Sequence, residues 1–247
     1  MFSLVIIATI FILSAAVQRV SGIGFSLVAL PLLVLVVGPL DSVTLIVINS
    51  GITSAAMTIG AIREVAWKRL IWLSVPSAII SFPAILLLNV MPVPVVSLLI
   101  ATLLTICTIT LVTEVKVRRQ IGRLGEISVG LVSGFMNSAA GVAGPAISAY
   151  AFSAGWSYRT FVATAQPYFI ISDAAVLLAK FAFRETGETS LLMPNQIGFA
   201  VLGCVAGLII GNKISRWISE TTGRWVVVVV AGLGAVTTAG RAIVSLV

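Results

Sequence analysis

Two glycine-rich interruptions of otherwise apolar stretches carry the groups that could bind an ion. One is Ser21-Gly22-Ile23-Gly24-Phe25-Ser26, the other Ala140-Gly141-Val142-Ala143-Gly144-Pro145, and Gly22 and Gly141 lie about 119 residues apart, as in a duplicated chain. Where a helix restarts, its first amides have no intrahelical acceptor and its dipole end is positive, so a small oxyanion is the ligand such an end attracts. Irregular backbone at membrane depth survives only when buried in protein or lining a wet cavity. Ser21, Gly22, Ile23 and Gly24, with Gly141, Val142, Ala143 and Gly144, are therefore the expected backbone contacts of a bound anion. The competing reading is small-residue packing between helices, with Pro145 as an ordinary first-turn residue. Recurrence of the break in both halves favours a site.

Charged and amide side chains near the breaks add to this inventory. Arg19 stands three positions before Gly22, where its guanidinium could pair with an oxyanion, or snorkel to a surface if the segment is a full crossing. Asp173 falls near the middle of an apolar stretch, so it needs a partner, a cavity or a proton. It is the candidate coupling group, for a proton or another ion. A structural carboxylate held by hydroxyls, or paired with Lys180 two turns on, is the alternative. Asn49, Asn137 and Gln166 are the remaining candidate substrate contacts. Like Thr53, Ser138, Thr164 and Tyr168, they could equally bond helix to helix. Pro167 frees a carbonyl within its helix and marks a hinge candidate.

Composition sets the class. Hydrophobic residues make up 59% of the 247 and charged residues only 9%, too little polar surface to clothe a soluble domain of this size. The 15 Lys and Arg outnumber the 8 Asp and Glu, and the basic residues cluster in short connections, so they set topology and give no reason to expect nucleic acid. With no histidine in the chain, a Ser-His triad, a zinc motif or His acid-base catalysis is excluded, and no enzyme, cofactor or metal site is expected. Gly22-x-Gly24 lacks the context of a nucleotide fingerprint. Cys107 and Cys204 each fall inside an apolar run and read as small hydrophobes.

Hydrophobic runs then organise the chain. Short segments are expected near 1–17 and 25–37, followed by longer helices near 42–61, 69–90 and 94–113. The order repeats with short segments near 126–139 and 145–154 and longer helices near 160–182, 195–212 and 225–245. Residues 1–113 form a first repeat, 114–124 a basic linker and 125–247 a second repeat, all in one membrane domain. Met1 to Val17 lacks a basic start and reads as a membrane segment rather than a leader. The fold class is an all-α polytopic membrane protein of two inverted repeats, each a broken, re-entrant hairpin plus three transmembrane helices, the hairpins meeting near mid-membrane. Arg63, Lys68, Arg69, the linker, Arg159, Lys213, Arg216 and Arg224 are expected on the cytoplasmic side. The connections at Gly38 to Asp41, Asn89 to Pro94 and Glu185 to Glu188 then face outward, with both termini.

These features resemble the sulfite exporter TauE/SafE family, also called the toluene sulfonate uptake permeases. Gly22-Ile23-Gly24 with Pro31, and Ser133-Gly134, Gly141-Val142-Ala143-Gly144-Pro145 and Tyr150, carry the likeness. The resemblance implies a secondary carrier in a bacterial inner membrane, exporting small sulfur-containing anions such as sulfite, thiosulfate or organosulfonates. Phe25, Ser26 and Arg19 replace glycines expected there, which would narrow or retune the pocket. An uncoupled anion channel, or a carrier of a non-sulfur organic anion, are the competing expectations.

Overall fold

A computed structural model describes residues 2–113, 122–183, 193–215, 217 and 220–244. The linker core at 114–121, the connection at 184–192 and Arg216 lie outside them, as does the side chain of Arg224. Among the described residues ten α-helices follow one another: α1 (Phe2–Ser21), α2 (Phe25–Val37), α3 (Pro39–Ile59), α4 (Trp67–Asn89), α5 (Val93–Thr113), α6 (Arg123–Ala140), α7 (Gly144–Ser153), α8 (Tyr158–Ala182), α9 (Pro194–Ile214) and α10 (Glu220–Val244). The described residues contain no strand. Six of the helices, α1, α3, α4, α5, α8 and α9, are long and apolar enough to cross a membrane, and the chain is a polytopic membrane protein.

The hairpins differ from expectation in their first limbs. Helix α1 has 20 residues and α6 has 18, about 27 to 30 Å at 1.5 Å per residue, where segments of about 17 residues or fewer were expected. In α1 helical bonding continues past residue 17 through Gln18, Arg19 and Ser21, whose side chains each find a partner, while α6 gains Arg123 to Gly125 at its start and Ala140 at its end. The returning limbs are the short ones, 13 residues in α2 and 10 in α7.

Glycines set the helix pairing. A Cβ on Gly203, Gly207 or Gly211 of α9 would meet Ala8, Ile12 and Ala16 of α1 in turn, and one on Gly130 or Gly134 of α6 would meet Leu73 and Ser77 of α4. Registers that advance together mean that α1 runs parallel to α9, and α6 to α4, at the close approach that small residues permit. Thr164 and Phe183 of the α8 segment bond near Ala66 and Asn89 at the two ends of α4, so α8 also runs with α4. Lys180 reaches Thr44 at the start of α3 while Arg159 pairs with Glu64 beyond its end, which makes α3 and α8 antiparallel. Helices α1, α3 and α9 thus point one way and α4, α6 and α8 the other. The first half's α1 packs on the second half's α9, and the second half's α6 on the first half's α4.

Candidate functional site

Both breaks are built alike. The amide of Gly22 donates to the Gln18 carbonyl and that of Gly141 to the Asn137 carbonyl, each at 2.7 Å. Both glycines take a left-handed conformation, φ 72° and 65°, which lets the chain leave the helix and restart within three residues. Gly24 continues the turn at φ 104°. Helix α2 then begins at Phe25 and α7 at Gly144, and no side chain caps either N-terminus.

Those two bare N-termini face one cavity. It is lined by Gln18, Ile23 to Leu27, Ser50, Asn137, Gly141 to Pro145, Phe169 and Asp173. Its volume is about 20 Å³, room for a single water. No lining residue is basic. Asp173, 3% exposed, supplies the sole carboxyl group. Its Oδ1 accepts from Asn137 Nδ2 at 2.9 Å, while Oδ2 is buried with no hydrogen-bond partner among the described residues. Buried polar atoms are seldom left so.

A polar chain runs outward from the carboxylate. Asn137 also donates to Ser172 Oγ at 3.0 Å, and Ser172 meets Ser77 at 2.9 Å. The Tyr168 hydroxyl lies 2.9 Å from both Ser77 and Ser133, and Ser133 donates to the carbonyl of Ala143 in the second break. On the first half's side, Gln18 donates to Ser54 and Gln166, each at 3.2 Å, and accepts from Thr53 at 2.9 Å. Gln166 in turn donates to the Gly22 carbonyl at 3.0 Å, so a side chain of the second half holds the first break.

The structure gathers Ile23, Gly24, Asn137, Gly141, Val142, Ala143, Gly144 and Asp173 around the cavity. It sets Ser21, Gly22, Asn49 and Gln166 behind that lining. Ser21 bonds the carbonyls of Val17 and Ile23, and Asn49 bonds the Leu45 carbonyl and Cys204. Arg19 is elsewhere: exposed, on a different face of α1 from Gln18, its Nη2 2.9 Å from Asn212 Oδ1. Gln18, Ser50 and Phe169 also line the cavity, beyond the candidates that the sequence pattern offers. The signal for Gln18 was present, because it precedes Gly22 by the same four positions as Asn137 precedes Gly141.

Away from the cavity, one end of the bundle gathers charge. Arg63, Lys68, Arg69, Arg123, Arg159 and Lys213 all lie at the end where α3 and α9 finish and α4, α6 and α8 begin. There Glu126, buried, accepts from the Tyr150 hydroxyl at 2.7 Å, and Arg69 lies over the Trp156 ring at 5.5 Å. Arg159 Nε pairs with Glu64 at 2.6 Å.

These features define a polytopic helical membrane protein whose two interrupted helices share a buried polar cavity. Against known families, residues 6–238 match the model of the sulfite exporter TauE/SafE family. The chain belongs to that family, one of membrane transporters. No curated protein and no solved structure matches it.

Proposed function

We propose that the chain is a secondary transporter of small sulfur-containing anions, bound between the N-termini of α2 and α7. One observation carries this reading: two uncapped helix starts, one from each half, converge on the cavity that holds Asp173. Free amides and two positive dipole ends suit an oxyanion, and in a water-poor site they stabilise it without a fixed cation. The family match supports sulfur oxyanions as the substrate class and export as the direction.

Asp173 is the coupling group in this reading. A carboxylate and an anion about 4 Å apart repel by about 4 kcal/mol at an effective dielectric near 20. Protonation removes that term and turns Oδ2–H into a donor. The anion and one proton then travel together. The opposed directions of α1, α3 and α9 against α4, α6 and α8 support two inverted repeats, rocked against each other to expose the site alternately. A cavity of about 20 Å³ suits a closed resting state of such a cycle. The basic end is cytoplasmic by the positive-inside rule, with the termini outside.

The test is flux in proteoliposomes. Sulfite, thiosulfate or a sulfonate should drive counter-transport and compete with one another, whereas large single-channel conductance without counter-transport overturns the carrier. Preference for carboxylates over every sulfur anion overturns the substrate class.

A further inference from the structure

We propose that Arg19 and Asn212 hold the phosphate of an anionic phospholipid in a groove between α1, α3 and α9. The groove is lined by Arg19, Ala56, Met57, Gly60, Leu208, Ile209 and Asn212 and has a volume of about 280 Å³. It is a separate space from the central cavity and shares no lining residue with it.

Depth, charge and wall chemistry agree on the occupant. Asn212 lies two residues before the end of α9, and Gly60 caps the end of α3, so the polar end of the groove sits where spanning helices stop and headgroups begin. A Cβ on Gly60 would touch nothing within 4 Å, which leaves the mouth open. Asn212 orients the guanidinium through a 2.9 Å bond to Nη2. Among the described residues that is the one side-chain partner Arg19 has, and an Arg carries five N–H donors in a fork matched to phosphate oxygens. Below the mouth, Ala56, Met57, Leu208 and Ile209 offer apolar wall, with Ile209 57% and nearby Ile59 81% exposed. A free, fully hydrated anion gains nothing from that wall. A glycerophospholipid fills both parts, headgroup on Arg19 and the first methylenes along Ala56 and Ile209.

The inference is independent of what the central cavity carries, and its readout is lipid retention rather than flux. Purified protein is equilibrated with mixed micelles of equal phosphatidylglycerol and phosphatidylcholine, and bound lipid is counted by native mass spectrometry. The wild type should retain phosphatidylglycerol with about fivefold preference, near the worth of one basic side chain at an anionic surface. Arg19→Gln should lose most of that preference, Arg19→Lys should keep part of it, and Lys68→Gln at the exposed basic end should leave it unchanged. Equal retention of the two lipids by the wild type overturns the proposal. So does a preference that survives in Arg19→Gln, or one that millimolar inorganic phosphate abolishes while Lys68→Gln also reduces it, since either pattern reports diffuse surface charge. Should Arg19→Gln fail to fold, Leu208→Trp, which fills the groove from its apolar side, must reduce retention in its place, and unchanged retention there is equally fatal.

Discussion

Gln18 and Asn137 occupy the same place in the two halves: each precedes by four residues the glycine that ends its helix, and each is hydrogen bonded to two neighbours on the next long helix. Gln18 binds Thr53 and Ser54 of α3, and Asn137 binds Ser172 and Asp173 of α8. Thr53 and Ser172, like Ser54 and Asp173, are separated by the same interval of about 119 residues as the two break glycines. A common polar frame therefore carries a hydroxyl on one side and a carboxyl group on the other.

Removing the amide at either position should loosen the frame. Asn137→Ala leaves Asp173 Oδ1 without its donor and should cost about 1 to 3 kcal/mol, the usual penalty for orphaning a buried acceptor. Gln18→Ala should cost a similar amount, since Thr53, Ser54 and Gln166 all lose a partner. Thermal unfolding in detergent checks both, and a melting temperature equal to wild type for each would contradict the network.

Asp173→Asn keeps the shape and the Asn137 contact while removing the titrating group. If Asp173 couples transport as proposed, wild-type flux should rise as the loading side is acidified, because the proton would have to be on the carboxyl group before the anion binds. The variant should carry anion at a rate independent of pH. Retained pH dependence in Asp173→Asn liposomes assigns coupling to another residue.

The break glycines should be unequal to glycines in open helix. Gly24→Ala places a Cβ at φ 104° and against Val227, so it should lose about 1 to 2 kcal/mol from the left-handed backbone alone. Gly51 lies inside α3, where a Cβ would touch nothing within 4 Å, so Gly51→Ala should stabilise by about 0.5 to 1 kcal/mol. Opposite signs in denaturation are the expected result.

At the basic end, two contacts should rank against their lengths. The 2.6 Å pair of Arg159 with Glu64 has an Arg side chain 82% exposed, so Arg159→Ala should change stability by about 1 kcal/mol or less. Tyr150→Phe removes the donor to a buried Glu126 and should cost about 1.5 to 3 kcal/mol. Melting curves of the two single variants give the order directly.

Much of this architecture was legible in the sequence, and the reason is chemical. Apolar runs bounded by Gly, Pro and basic residues gave the helices, and only Gly supports the left-handed turns at 22 and 141, so both breaks stood out. Residues 23, 24 and 141 to 144 line the cavity. The end of α1 was not legible, because whether the helix continues through Gln18 depends on partners from α3 and α8 that no local pattern announces. Arg19 shows the same limit. Its spacing from Gly22 places it near the break along the chain, yet one residue is about 100° of helix rotation, enough to carry it away from Gln18 and onto Asn212. Ser50 and Phe169 carry no sequence signal of their own and join the lining only through helix packing.

The bond from Gln166 to the carbonyl of Gly22 has a kinetic consequence. In the proposed cycle, rocking the halves apart would break it together with the bond from Gln18 to Gln166, and both are uncharged, each worth about 0.6 to 2 kcal/mol in a membrane interior. A clasp so weak reopens readily under thermal agitation, whereas a buried ion pair in its place would hold the empty protein shut. Neutral amides at the seam would thus keep an unloaded carrier able to reset.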